Sequence, residues 1–197
     1  FHQPFMQGPV TMNYKEAGIE IRKMAQALIN MDYAPKSKIA LLSKNCSHWI
    51  MADLAIQMAG HISVPIYPTI NADSIAQIMT HSESKLVIIG KLDNYETQKF
   101  GLKDFIKIGI NAYQIKEKLS WEDMVKSSKA LEELPEQKSE DLLTIMYTSG
   151  TTGPPKGVMH SVGSFTAVTN TAVKAIGLNT KKPRFFSYLP LTHIAER

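Results

Sequence analysis

Residues 142–158 read Leu-Leu-Thr-Ile-Met-Tyr-Thr-Ser-Gly-Thr-Thr-Gly-Pro-Pro-Lys-Gly-Val, and this stretch decides the fold class. Residues 142–148 form an apolar run interrupted only by threonines, which is typical of a strand buried inside a sheet. Residues 149–157 are rich in glycine and proline and predict a loop. Because open parallel sheets bind ligands at the carboxyl ends of their strands, this loop is the expected location of a site.

Strand-like and helical segments alternate on both sides of this stretch. Short apolar runs predict strands over Lys38–Ser43, Ile62–Ile66, Lys85–Gly90, Phe105–Ile110 and Arg184–Leu189. Helical periodicity and capping residues predict helices from the Asn13 cap to Leu28, over Ser47–Ala59, Asp73–His81 and Gly163–Ile176, and from the Ser120 cap to Leu134. This alternation favours the α/β class, with a mostly parallel sheet flanked by helices.

The composition excludes several classes of protein. A chain of 197 residues that is 44% hydrophobic and 20% charged can bury a sizeable core, so disordered and collagen-like structures are excluded. The single cysteine, Cys46, excludes a disulfide scaffold and a cysteine-rich zinc site, and it fits a reducing, cytoplasmic compartment. No apolar run reaches about 18 residues, so we expect no membrane-spanning helix. The chain shows no signal peptide and starts with Phe1, so we expect it to begin inside a longer coding sequence.

The net charge of +4 is concentrated near the end of the chain. Residues 151–197 hold 6 basic side chains and a single acid, Glu196, whereas residues 1–150 hold 16 basic and 17 acidic side chains. A local positive field attracts polyanions such as nucleic acids or nucleotide phosphates. Basic residues are not interleaved with aromatic ones, as they would be in a groove for single-stranded nucleic acid. The phosphate of a nucleotide is a smaller anionic partner that the same basic segment could attract.

The loop at 149–157 carries the groups that a phosphate site needs. Its glycines let the backbone approach a ligand, and the hydroxyls of Thr148, Ser149, Thr151 and Thr152 can donate to phosphate oxygens. Lys156 adds a positive charge. The loop is not a Walker A motif, because Lys156 is followed by glycine rather than by serine or threonine. Any one of these residues, taken singly, could equally belong to a surface loop rich in turn residues that binds no ligand.

The string from Tyr147 to Val158 resembles the phosphate-loop signature of the adenylate-forming (AMP-binding) enzymes, which include acyl-CoA synthetases, luciferases and the adenylation domains of peptide synthetases. Residues 188–197, which read Tyr-Leu-Pro-Leu-Thr-His-Ile-Ala-Glu-Arg, resemble the Leu-Pro-Leu-x-His segment of the same superfamily and point to its long-chain fatty acid–CoA ligase branch. Asn45, Trp49 and the stretches at 59–69 and 81–85 are similar to that branch as well.

The resemblance implies roles for individual residues. The residues expected to hold the β- and γ-phosphates of ATP are Thr148, Ser149, Gly150, Thr151, Thr152, Gly153 and Lys156. Thr148 is also expected to contact Mg²⁺, and His193 to lie near the acyl carboxylate, which makes Lys156 and His193 the candidate catalytic residues. The implied chemistry is attack of a carboxylate on the α-phosphate of ATP, giving acyl-AMP and pyrophosphate, followed by displacement of AMP by the thiol of CoA.

The resemblance also implies that residues 1–197 are a truncated part of the large N-terminal AMP-binding domain. The carboxylate for Mg²⁺, the ribose-binding Asp and the catalytic Lys of the small C-terminal domain belong to segments beyond Arg197. We therefore expect the 197-residue chain alone to make no acyl-CoA. At 161–164 the sequence reads Ser-Val-Gly-Ser, where relatives often have His and Asn.

The implied partners are a fatty acid, ATP and CoA, without nucleic acid, and peripheral association with a membrane surface is left open. Two alternatives remain at this point. The acceptor could be an acyl carrier protein instead of CoA, or the chain could be a non-catalytic binder of nucleotides or nucleic acid.

Other conspicuous side chains are interpreted as structural. We predict that Trp49, Met51, Met58 and Met79 pack in the core, and that Cys46 is structural or inert. The histidines at 48, 61 and 81 do not show metal-ligand spacing. The charged residues Glu16, Glu20, Arg22 and Lys23 are expected to form a solvated helix face.

Overall fold

The computed structural model describes residues 2–3, 10–148, 155–176 and 189–193. The strands are β1 His2–Gln3, β2 Val10–Thr11, β3 Lys38–Leu42, β4 Ile62–Ile66, β5 Leu86–Ile89, β6 Ile106–Gly109, β7 Leu119–Ser120, β8 Leu142–Thr148 and β9 Lys156–Ser161. The α-helices are α1 Tyr14–Ile29, α2 Ser47–Met58, α3 Ala72–His81, α4 Tyr95–Gln98, α5 Trp121–Ser127 and α6 Val162–Ile176, and two 3₁₀ turns cover Lys99–Leu102 and Asn111–Tyr113.

Within the described residues, the main sheet has seven strands in the order β7-β6-β5-β3-β4-β8-β9. Strands β3 to β8 run parallel to one another, which confirms the predicted α/β fold with a mostly parallel sheet. The predicted strand over residues 142–148 is confirmed to the residue. Because the strands are parallel, their carboxyl ends lie along one edge of the sheet, where ligands bind in such folds.

Strand β9 is antiparallel to β8 and was missed by the sequence analysis. Lys156 and Gly157 were assigned to the loop, whereas the structure places them in the first two positions of β9. The strand lies at the edge of the described sheet and most of it is exposed or half-buried, so it lacks the continuous apolar run that reveals a buried strand.

Two apolar clusters cover the two faces of the sheet. One contains side chains of α1 and α2 with Trp49, Trp121 and Ile108. The other joins α3 to the opposite face through Ile75, Met79 and their neighbours. Trp49, Met51 and Met79 are buried as predicted, and Met58 is half-buried against the first cluster. The helices therefore cover both faces of the sheet, and its carboxyl edge is the expected location of a ligand site.

Local capping signals were interpreted correctly. The Asn13 side chain accepts from the Glu16 backbone N–H at 2.9 Å, and the Glu16 carboxylate accepts from the Asn13 backbone N–H at 2.9 Å. Ser120 likewise accepts from the backbone N–H of Asp123 at 3.1 Å. These bonds satisfy N–H groups that a helix start leaves unpaired.

The predicted end of the α5 helix was wrong. The helix stops at Ser127 rather than continuing to Leu134, and Ser128 has an extended backbone. The backbone of Leu131 instead bonds to α1, because its N–H donates to the Arg22 carbonyl at 3.1 Å and its carbonyl accepts from Arg22 Nη1 at 2.8 Å. A tertiary contact thus replaces the helical one.

The same contacts correct the prediction of a fully solvated face on α1. Glu20 is half-buried and its Oε1 accepts from the indole N–H of Trp121 at 2.6 Å. Arg22 is also half-buried against the segment after α5.

The predicted strand Arg184–Leu189 lies outside the described residues except for Leu189, which is in a bend. Among the described residues, no helix has the length and apolar character needed to cross a membrane.

Candidate active site

Thr148 and Lys156 face each other at the carboxyl edge of the sheet. Thr148 is the last residue of β8, Lys156 is the first residue of β9, and the two are paired across the antiparallel ladder. Both side chains are exposed. The strand pair therefore brings together a hydroxyl and an ammonium group at the two ends of the predicted phosphate loop. The predicted ligands Ser149, Gly150, Thr151, Thr152 and Gly153 lie outside the described residues.

Gly157, the residue after Lys156, allows β9 to pack closely against the side chains of β8. It lies opposite Tyr147 in the ladder, and a Cβ atom at this position would come within 2.8 Å of Ile145 Cγ2 and 3.2 Å of Tyr147 Cζ. Real Cβ contacts are longer, so a side chain here would push the Tyr147 ring or the strand aside. The glycine next to Lys156 is therefore required by packing.

The Tyr147 ring connects β8 to helix α3. Its hydroxyl is 2.6 Å from His81 Nδ1, and the two rings meet edge to face with centroids 5.7 Å apart. Burial raises the pKa of Tyr147. A groove of about 540 Å³ beside this pair is lined by Ala76, Gln77, Thr80, His81 and Pro155. The sequence contained both residues in family-like stretches, but their pairing across 66 positions left no local signal.

His193 lies on a tight turn that is fixed from two sides. Its backbone N–H donates to the Pro190 carbonyl at 2.8 Å, while Leu191 is 5% exposed and belongs to the apolar cluster around Trp49. The side chain of Asn45, three residues after β3, donates to the Leu189 carbonyl at 2.6 Å and accepts from the Leu191 N–H at 3.0 Å. The His193 side chain itself is exposed.

The structure therefore brings the two predicted catalytic residues to one edge of the sheet. Lys156 lies at the carboxyl end of β8, and the His193 turn is held by the segment after the carboxyl end of β3. Only β4 lies between those two strands. Sequence analysis named Asn45 solely as part of the family resemblance, and its contact with the His193 turn emerges from the fold.

The Thr148 hydroxyl and the Lys156 ammonium group at this edge suit a phosphate better than they suit a metal ion alone. The Thr148 hydroxyl is an oxygen donor of the kind that Mg²⁺ accepts. Over the residues that the structure describes, no group of three or more His, Cys, Asp or Glu side chains could hold a metal ion. The Thr148 hydroxyl is thus a single oxygen that could serve as one Mg²⁺ ligand.

A half-buried polar cluster lies at the start of the second helix. His48 Nδ1 is 3.0 Å from the Tyr113 hydroxyl, and His48 Nε2 is 3.7 Å from Glu20 Oε1. Burial lowers the pKa of His48, although the charges of Glu20 and Glu122 oppose this effect. Burial is also the main cause of the raised pKa of Tyr113. We assign these groups a structural role, because they tie α1 and α2 to the 3₁₀ turn at Asn111–Tyr113.

Sequence comparison decides the family. Residues 2–197 match the family described as AMP-binding enzyme. The chain belongs to this family. It is 31% identical over 207 residues to long chain acyl-CoA synthetase 5 of Arabidopsis thaliana, a match that covers 95% of this chain and 31% of the relative. It is 27% identical to the long-chain-fatty-acid–CoA ligase ACSBG2 of Homo sapiens, with 93% of this chain and 30% of the relative covered.

The chain thus spans about a third of the length of these relatives. Its fold agrees with solved structures. A putative long-chain-fatty-acid CoA ligase from Rhodopseudomonas palustris superimposes with a TM-score of 0.79 at 23% identity, covering 98% of this chain and 48% of that one. The O-succinylbenzoate coenzyme A synthetase of Bacillus subtilis in complex with AMP gives a TM-score of 0.76 at 21% identity, with 98% and 46% covered.

Proposed function

We propose that this chain is part of an ATP-dependent long-chain fatty acid–CoA ligase, within its large N-terminal domain. The observation that carries the proposal is the pairing of Thr148 with Lys156 across the ends of the predicted phosphate loop. The relatives named long-chain acyl-CoA synthetases support the substrate class. The proposed enzyme acts in the cytoplasm, in line with its single buried free cysteine.

The proposed reaction has two steps. A fatty acid carboxylate oxygen attacks the α-phosphorus of ATP, the bond to the bridging oxygen breaks, and pyrophosphate leaves with acyl-AMP as the other product. The sulfur of CoA then attacks the acyl carbon, its proton is released, and AMP departs as the thioester forms. In both steps the protein's task is to position the reactants and to neutralise charge.

The proposal assigns a task to each predicted site residue. Thr148, Ser149, Gly150, Thr151, Thr152 and Gly153 hold the β- and γ-phosphates through hydroxyl and backbone N–H groups. Lys156 offsets the charge that develops on departing pyrophosphate. Thr148 would supply an oxygen ligand to Mg²⁺, and the ion would neutralise phosphate charge. His193 orients the acyl carboxylate.

The decisive experiment is an exchange assay on the complete protein that carries this chain. Fatty acid-dependent exchange of labelled pyrophosphate into ATP is expected, followed by thioester formation when CoA is added. Thioester formation only with an acyl carrier protein would change the acceptor. Absence of exchange with any fatty acid would contradict the proposed function.

A salt titration separates this proposal from binding of nucleic acid. Contacts with a nucleic acid backbone weaken steeply with salt because many counterions are released. ATP binding in a pocket is expected to depend on Mg²⁺ instead, with a much weaker salt dependence.

We further propose that the 197-residue chain alone produces neither acyl-AMP nor thioester. Robust turnover by it would show that these residues complete the active site.

A further inference from the structure

The Asn45 side chain spans the backbone on both sides of Pro190. Its Nδ2 donates to the Leu189 carbonyl at 2.6 Å, and its Oδ1 accepts from the Leu191 N–H at 3.0 Å. A carbonyl oxygen can only accept and an N–H can only donate, so the two partners settle the orientation of the amide. Among the uncharged side chains of this length, an amide is the one that supplies both groups from one plane.

Asn45 itself is held on a fixed platform at the carboxyl end of β3. The Lys44 N–H donates to the Lys91 carbonyl at 2.8 Å, and the Lys91 N–H donates to Ser43 Oγ at 2.9 Å. On the other side, Cys46 is 7% exposed and is the N-cap residue of α2. The amide therefore projects from a segment whose own backbone is bonded to the loop after β5.

The turn to which Asn45 is hydrogen-bonded ends at His193. The His193 N–H closes the turn onto the Pro190 carbonyl at 2.8 Å, and Leu191 and Thr192 are 5% and 3% exposed. The Asn45 amide, the buried Leu191 side chain and the turn bond thus all help to hold residues 189–193 in place. The His193 side chain is left as the exposed end of the turn. Its direction depends on how firmly the turn is fixed.

We propose that Asn45 is a positioning residue that fixes the Pro190–His193 turn and thereby aims His193 at the acyl carboxylate. This inference rests on the proposed function for its kinetic consequence, but the positioning itself depends only on the contacts above. Small errors in the placement of such a group are costly, because a reacting pair must be held within a narrow range of distance and angle.

Two substitutions test the amide. Asn45→Ala removes both bonds. Asn45→Asp keeps the shape and the acceptor for Leu191, but it places a carboxylate oxygen against the Leu189 carbonyl, which cannot donate. Both variants are expected to accelerate hydrogen–deuterium exchange at residues 189–193 by about tenfold, the effect of losing roughly one net hydrogen bond. Asn13→Ala, which removes a cap on α1, is the matched control and should leave exchange at 189–193 unchanged.

The kinetic arm uses fatty acid-dependent pyrophosphate exchange in the complete protein. In both variants kcat/KM for the fatty acid is expected to fall about tenfold, whereas the KM for ATP stays within about twofold. In a His193→Ala background, Asn45→Ala should add little, because the residue acts through His193. A merely structural role would lower both substrate parameters together and add fully to His193→Ala.

The outcomes separate cleanly. Unchanged exchange at residues 189–193 in both variants would overturn the proposal, as would equal losses for ATP and fatty acid. If Asn45→Ala showed no cooperative melting transition, Asn45→Asp, which fills the same volume, decides the question. If the unmodified protein activated no fatty acid, the proposed function would fail. Hydrogen–deuterium exchange at residues 189–193 would still decide whether Asn45 holds the turn.

Discussion

The Nδ1 atom of His81 lies 2.6 Å from the hydroxyl oxygen of Tyr147. This hydrogen bond joins the last residue of α3 to the residue before Thr148, at the point where β8 leads into the phosphate loop. The Tyr147 ring also covers Gly157 on β9. One aromatic side chain therefore connects a helix, the central sheet and the strand that carries Lys156.

Tyr147→Phe is expected to lower the free energy of unfolding by about 1 kcal/mol, because it removes the partner of His81 while keeping the ring. Urea denaturation measures the change. Tyr14→Phe, at a residue that is 83% exposed, is the control and should change stability by less than about 0.5 kcal/mol. Full additivity of Tyr147→Phe and His81→Ala would contradict a direct bond between the two side chains.

Gly157→Ala is expected to destabilise the protein by about 1–3 kcal/mol, because the added methyl group would overlap Ile145 and the Tyr147 ring. Gly18→Ala is the matched control. Gly18 lies within α1 and an added Cβ there meets nothing within 4 Å, so this change should stabilise the protein by about 0.5–1 kcal/mol. Equal effects of the two substitutions in thermal melting would show that the close approach at Gly157 is not real.

Lys156→Ala is expected to reduce pyrophosphate exchange by about a hundredfold or more and to weaken ATP binding, because it removes a positive charge from the end of the phosphate loop. Lys103→Ala is the control, since this exposed lysine precedes β6 and lies away from the carboxyl edge. Unchanged exchange kinetics in Lys156→Ala would remove this residue from the site.

His193→Ala is expected to depress formation of acyl-AMP more than it weakens ATP binding, because the proposed role of His193 is on the acyl side. Isothermal titration with ATP and a direct assay of acyl-AMP separate the two effects. A collapse of ATP affinity with normal dependence on the fatty acid would show that His193 works on the phosphates instead.

Stability is expected to fall as the pH drops below about 6.5, the ordinary pKa of histidine. Burial lowers the pKa of His48 and of His61, so below pH 6.5 the unfolded chain binds more protons than the folded one. Each such group contributes at most about 1.4 kcal/mol per pH unit, and the loss levels off below its folded pKa.

His48→Gln should reduce this pH dependence without abolishing it, because His61 remains. Urea denaturation at pH 7.5 and pH 5 measures the difference in unfolding free energy. An identical difference in the variant and the unmodified protein would show that His48 does not resist protonation.

Local patterns in the sequence were sufficient wherever the forces that decide the structure act over a few residues. The apolar run at 142–148 marked β8 correctly, and Asn13 with Glu16 marked the start of α1. Both signals are local, because a buried strand needs consecutive apolar side chains and a helix cap closes within one turn. The composition of the loop after Thr148 pointed to phosphate chemistry for the same reason, and that assignment stays a prediction.

Tertiary structure decided the features that join distant residues. Strand β9 exists because it pairs with β8, and α5 ends at Ser127 where the chain turns to bond with Arg22 on α1. Asn45 and Leu191 are 146 positions apart, yet one hydrogen bond connects them. Such contacts leave no periodic trace in the sequence, because their partners meet only after the parallel sheet has aligned its carboxyl ends at one edge. The residue types for the chemistry are written in the sequence, whereas the relative placement of Lys156 and the His193 turn is a property of the fold.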